Sequence, residues 1–473
     1  MNSKRIVLIG YPAVYFLPFA KRLEADGFTA YWICGLTSDA RYLQSHGFGA
    51  DRVLDVNAGF CAFNRNSLED RMKLAEIEPV DGPLINDLII MDRILRKKPA
   101  EFAYRYLAHL QTVMEPFLAS NRIELATSWR DTALQLLGML ICRKQGVPWV
   151  VPTRIRIPQE MYGFCSKHHT QSFIPLRDVT AADRKWADSF LREFRERKHR
   201  PAGKIATRSY RDVIRMIPVH VKAFWFECKR APADRGNDFA RYSIMSLLCM
   251  YIRRRVNLML YKLLPPYAAI GEGPYCLYAL HTQPESSIDV AGSFFSDQVG
   301  LIRLIARSLP ANYQLYVKVH PTDVDGQTLA FYRKISEIPG VRLLDFAHDS
   351  HALVDGCKVI FALTGTIAYE AALLRKPVIV FAHNFFTNFP DIHYCGTPQM
   401  LSAVVQTAMK ADKQDRDAEI IETLAVLRSK CFQGEVSRVH EKANPLLNEL
   451  DLTTVCKAYH TLHERLTSAK SHA

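Results

Sequence analysis

Lysine, histidine, threonine and glutamate cluster at the ends of short apolar runs between residues 281 and 370, and all four side chains suit a phosphate ester with its sugar. The stretch LYVKVHPTD (315–323) carries Lys318 inside a β-branched run and stops at His320-Pro321. Leu315, Tyr316, Val317 and Val319 read as a buried strand that Pro321 cannot continue. Alternation places Lys318 and His320 on one side of it. Two cationic donors then stand near the C-terminal end of a strand, where ligands collect in an open α/β sheet. The stretch TGTIAYEAALLRKPVIVF (364–381) supplies the complement. Gly365 lets backbone approach a ligand, and the helix after it begins with open N–H groups and a positive dipole end. Thr364 and Thr366 add hydroxyls, and Glu370 suits a ribose diol. A plainer reading of the same residues is an N-cap at Thr364 or Thr366 with Glu370 as a first-turn acid.

These residues need a sheet to bring them together. From Tyr275 the chain alternates strand and helix: YCLYALHT, QLYVKV, VRLLD, KVIFAL and PVIVF are strands, with helices between them. Five such strands make a parallel sheet covered on both faces. Residues 1–160 repeat the theme with RIVLIG, TAYWIC, IELATSW and VPWVVPT, and a helix from Thr132 to Lys144 ends at Gly146. No GxGxxG follows the first strand, which argues against a dinucleotide site there. Residues 161–268 read as a helical basic insertion, 269–410 as a second Rossmann-like domain, and 411–473 as C-terminal helices. The expected architecture is α/β: two Rossmann-like domains facing a central cleft.

At 473 residues the chain is too long for one core. Its formal charge of +13 points to an anionic partner. The excess is local: residues 189–262 hold eighteen Lys/Arg against six Asp/Glu, a net of +12. There SYRDVIRMIPVHVKAFWFECKR and SIMSLLCMYIRRRVNLMLYKLL mix apolar and cationic residues, as an interfacial membrane helix or a subdomain with a basic face would. No nucleic-acid recognition motif accompanies the charge, so nucleic acid is not an expected partner. Eleven cysteines without a CxxC pair fit a reducing compartment. The N-terminus lacks a signal-peptide pattern, and no run reaches membrane-span length. A cytoplasmic protein, peripheral on the inner membrane, is expected. No His/Cys cluster has zinc spacing. Asp323-Val324-Asp325 imitates a metal-binding DxD but reads as turn chemistry before Gly326, so no metal and no cofactor is expected.

HTQPESS (281–287), KVHP (318–321) and TGTIAYEA with RKPVIVF resemble the capsule polysaccharide biosynthesis family, related to bacterial Kdo transferases and built on the GT-B glycosyltransferase fold. The resemblance covers roughly residues 275–390. It implies that His320 contacts the donor phosphate, that Thr364 and Thr366 bind phosphate, and that Glu370 binds the ribose. With Lys318 and Gly365 from the residue reading, the expected donor site also takes in Gln283, Glu285 and Ser286. It also favours a CMP-linked over a UDP-linked sugar donor, with a lipid-linked or polysaccharide acceptor. One departure stands out. Where the β-Kdo transferase pattern places a carboxylate after Gln-x-Glu, this chain has Ser286 and Ser287. The general base is therefore expected from the first half: Asp131 in SWRDTALQL, then Glu160. Asp131 also reads as an N-cap or first-turn acid. The competing functions are a CDP-polyol phosphotransferase, a sugar-nucleotide 2-epimerase and a non-catalytic scaffold of a polysaccharide assembly complex.

Overall fold

The computed structural model describes residues 4–63, 67–155, 157–158, 161–167, 172–196, 222, 225, 242–261, 270–411, 415–434 and 449–471. Its strands are β1 (Lys4–Ile9), β2 (Phe28–Cys34), β3 (Val53–Asp55), β4 (Leu125–Ser128), β5 (Trp149–Ile155), β6 (Met161–Cys165), β7 (Tyr275–Ala279), β8 (Gln314–Lys318), β9 (Val341–Leu344), β10 (Ile360–Ala362), β11 (Val378–Val380), β12 (Ile392–Tyr394) and β13 (Cys431–Gln433). They form two sheets, ordered β13-β6-β5-β4-β1-β2-β3 and β12-β11-β10-β7-β8-β9. The second is parallel throughout, and the first is parallel apart from β6 and β13. Each therefore has a point where strand order reverses, between β1 and β4 and between β7 and β10.

The strands are apolar because both faces are covered. In β1, Val7 and Ile9 enter one core while Ile6 and Leu8 enter the core on the other face. In β8, Leu315 and Val317 pack on one face and Tyr316 on the other. The first helix runs over Ala13–Ala25, three residues longer at its start than its apolar period suggests. The reason is remote: the buried carboxylate of Asp39 accepts the Ala13 N–H at 3.2 Å.

Two parts of the chain depart from expectation. The segment from 161 opens on a strand, β6, before the helices Ala181–Arg195 and Ile244–Tyr261, and most of what lies between those helices is outside the described residues. The tail after 410 is not purely helical. Between the helices Asp417–Ser429 and Glu449–Ser471, β13 pairs antiparallel with β6, Gln433 opposite Met161. Three residues are too few to announce a strand without the edge they join.

The chain also trades elements between its halves. Arg195 donates to both oxygens of Asp417 at 2.8 Å and to the Leu373 carbonyl at 2.9 Å, fixing its helix to the second half. The last helix returns to the first half, where the Tyr459 hydroxyl meets Thr127 Oγ1 at 2.8 Å.

Gly163 in β6 lies directly against the Phe173 ring. A Cβ there would run into the Phe173 ring. Gly163→Ala is expected to cost about 1–3 kcal/mol by overpacking, read as a lowered urea midpoint at unchanged slope.

Candidate active site

Loops after β7, β8 and β10 leave the second sheet side by side, because Ala279 pairs with Lys318 and Tyr278 with Phe361. The helix Thr366–Leu373 follows β10 directly. Its N-cap residue is Gly365 and no side chain caps it. Neither threonine is the cap that the plainer reading required. The helix's first N–H groups and dipole end open onto the order-reversal point of the sheet, a ready position for an anion. Glycine leaves room here, since a Cβ at 365 would stand in tight contact, 3.0 Å, with His281 Nε2.

His281 ties this loop to its neighbour. The Thr364 N–H donates to His281 Nε2 at 3.3 Å, which leaves the ring proton on Nδ1. Burial, and secondarily the charge of His320, push its pKa down to about 3, so the ring stays neutral. The Thr364 hydroxyl donates to the Ser287 carbonyl at 3.4 Å. One residue on, Thr282 Oγ1 lies 3.2 Å from His320 Nδ1 and 3.0 Å from Thr322 Oγ1. The Thr322 N–H donates to His320 Nδ1 at 3.2 Å, so Nε2 is the donor nitrogen of the half-buried His320. Thus Thr364, His281, Thr282 and His320 form a continuous set across three strands. Sequence reasoning placed His281 and Thr282 at a strand end but gave them no role. Their signal was the HT pair one strand over from the HP pair.

Lys318 is 6% exposed. Burial lowers its pKa, opposed by the charges of Asp345 and Asp349. Glu370 is 8% exposed, one turn along the helix, and burial raises its pKa to about 7. Glu285 and Ser286 are half-buried at the start of the short helix Ser286–Asp289. Gln283 does not present its amide as a ligand-binding group. Nε2 donates to Asp289 Oδ1 at 3.0 Å and to the Ser296 carbonyl at 3.2 Å, while Oε1 accepts from Gln298 at 3.4 Å. A glutamine this fully engaged holds its own loop in place. Asp323 braces the same loop, accepting the Gln283 N–H at 3.3 Å and Gln327 Nε2 at 2.8 Å. Burial raises its carboxyl to about 6. Among the described residues, no three His, Cys, Asp or Glu side chains gather as a metal site would need.

In the first half, Asp131 follows β4 at that sheet's own reversal point. The cap of the helix Ala133–Lys144 is Thr132, in a capping box with Gln135. The Asp131 N–H donates to Gln135 Oε1 at 2.9 Å, and Gln135 Nε2 reaches the Gly10 carbonyl at 3.3 Å. The backbone of Asp131 is thereby fixed while the residue remains exposed. Arg130 beside it is buried and lowers the thiol pKa of Cys165 by its charge, against a larger rise from burial. Glu160 lies outside the described residues. The halves meet at these edges: Val290, just past the Ser286–Asp289 helix, packs into the first-half core with Ala133 and Leu134. The Phe173 and Phe385 rings stack at 5.5 Å.

Two doubly wound sheets, each with its own order-reversal point and in contact through Val290 and Phe385, make a GT-B-like α/β protein. Residues 242–425, less than half of the chain, match the capsule polysaccharide biosynthesis protein family. That match bears out the resemblance carried by the His-Pro and Thr-Gly-Thr motifs. Among solved structures, the Methanocaldococcus jannaschii UDP-GlcNAc 2-epimerase in complex with UDP-GlcNAc and UDP is similar at 11% identity over 90% of this chain and 98% of its own, with a TM-score of 0.29. The Thermosulfurimonas dismutans KpsC β-Kdo 2,7 transferase is similar at 9% over 73% and 89%, TM-score 0.33. Acinetobacter baumannii MurG is similar at 11% over 96% and 98%, TM-score 0.26. These likenesses are low, and the fold rests on strand order. No curated protein matches significantly.

Proposed function

We propose that this chain is a glycosyltransferase of capsule or surface polysaccharide assembly, taking a nucleotide-activated sugar as donor. The observation that carries the reading is the uncapped helix start at Gly365, joined through His281 and Thr282 to His320. The donor phosphate lies against the helix amides, His320 Nε2 and Lys318. Glu370 accepts hydrogen bonds from the ribose. The acceptor hydroxyl attacks the anomeric carbon, its proton passes to Asp131, and the bond from that carbon to the phosphate oxygen breaks. The leaving charge falls on the phosphate, where Lys318, the His320 ring N–H and the oriented amides stabilise it. Those groups meet the charge, so the reading assigns no resident metal. CMP-linked donors rank above UDP-linked ones on family resemblance. The acceptor is lipid-linked or polymeric, and the enzyme works at the cytoplasmic face of the inner membrane.

Calorimetry with CMP, CDP and UDP tests the donor site. His320→Ala is expected to weaken the preferred nucleotide by about 1.5–3 kcal/mol, the worth of a hydrogen bond to a charged group. Its thermal midpoint should stay near wild type. A protein that binds none of the three, or an alanine variant that binds as well as wild type, would remove the donor-site reading and leave the scaffold role.

A further inference from the structure

The helix Ile244–Tyr261 turns apolar side chains to solvent. Its sequence, IMSLLCMYIRRRVNLMLY, holds three arginines and no acid. At 3.6 residues per turn, Met245, Leu248, Ile252, Val256 and Met259 fall within a sector of about 80°. All five are exposed, from 42% at Leu248 to 70% at Met259. The opposite side is the docked one. Tyr261 meets Tyr332 edge-on at 5.3 Å, Asn257 Nδ2 donates to the Asp325 carbonyl at 3.2 Å, and Arg254 pairs with the Asp325 carboxylate at 3.7 Å. At the other end Tyr242 lies under Lys97 Nζ, 5.4 Å from ring centre to nitrogen. The helix thus runs from the first half to the loop that follows His320.

Its partner can be read from charge. By the same helical period, Arg253 and Arg255 flank the apolar stripe on either side. Long cationic side chains beside a buried stripe reach back to a charged interface. The helix Leu329–Ser336 packs against it and, with the helix Gln298–Ser308, forms a groove lined by Arg303, Arg307 and Lys334, with Glu337 as its one acid. A second copy of the chain fits poorly. The arginines occupy the middle of the helix, so antiparallel pairing of two stripes would set them against their own copies. No helix among the described residues is long and apolar enough to cross a membrane.

We infer that this stripe, with Arg253 and Arg255, seats the protein on an anionic phospholipid surface, the helix lying in the headgroup boundary. The inference rests on the transferase reading and deepens it: the cleft then opens beside the layer that would hold a lipid-linked acceptor.

The test is co-sedimentation of the full chain with vesicles of phosphatidylcholine alone or with added phosphatidylglycerol. Wild type should sediment only with the anionic vesicles, and less so as salt rises. Arg253→Gln with Arg255→Gln should lower partitioning about thirtyfold, the worth of two basic side chains at an anionic surface. Ile252→Glu with Met259→Glu should abolish it. These positions are exposed, so folding is not at stake. Wild type remaining in the supernatant overturns the inference, as does undiminished binding by the glutamate variant. A dimer that the glutamate variant splits, without vesicle binding, assigns the stripe to a second copy and overturns it too. Thermal shift with nucleotide is read in parallel. If nucleotide binding is kept while vesicle binding fails, only this surface is wrong, whereas failure to bind any nucleotide removes the transferase reading instead.

Discussion

Asp131→Asn is expected to slow transfer by a factor of about 10²–10⁴, the usual worth of a positioned general base, with nucleotide affinity unchanged. The expectation follows from what Asp131 does not do. Thr132 caps the next helix, its side chain accepting the Gln135 N–H at 3.4 Å, so the carboxylate of Asp131 is not spent on that task. Gln135 Oε1 holds the N–H groups of both Asp131 and Thr132, at 2.9 and 3.2 Å. The side chain therefore leaves a rigid backbone at the reversal point of the first sheet. Asparagine keeps its size and removes its basicity. Loss of rate should come without loss of thermal midpoint, measured as nucleotide released per unit time. An unchanged rate would pass the base role to Glu160 or another group.

Glu370→Gln is expected to stabilise the protein above pH 7 by about 3 kcal/mol and to abolish ribose-dependent nucleotide binding. Burial raises this carboxyl from 4.5 to about 7. Below 4.5 it is protonated in the folded and unfolded chains alike and costs nothing. As pH rises from 4.5 the unfolded chain ionises first, so stability falls through the window and levels off above about 7. Each pH step between the unfolded and folded values costs about 1.4 kcal/mol, so the ionised residue is a substantial burden on an ordinary domain. Glutamine removes the slope. Urea unfolding of both proteins across this pH range reads it directly, and parallel curves would show that Glu370 does not titrate in that window. The cost is one of desolvation, since burial disfavours the ionised carboxylate.

The periodic pattern and its punctuation carried most of the fold. The runs around β7, β8, β10 and β11 read as strands because both of their faces are buried, and Pro321 and Gly365 marked where the strands give way. Those signals are local, set by alternation, sterics and the missing N–H of proline. The motifs also placed His320, Lys318, Thr364 and Glu370 at one edge. What local sequence could not supply was the partner of each group. Whether Thr364 or Gly365 capped the helix, and whether Asp131 or Thr132 did, turned on geometry alone.

Gln283 shows the limit most plainly. Its position in a phosphate-edge motif suggested a ligand contact, yet its amide is consumed by Asp289, Ser296 and Gln298. His281 shows the converse, a residue given no role that joins two loops whose sequences lie 83 positions apart. The strand β13 belongs to the same class, because a three-residue strand exists only through the edge of β6. The sequence determined most of the elements and which chemical groups stand at their ends. Tertiary structure alone decided which groups are free for a ligand, because that depends on contacts between segments far apart in the chain.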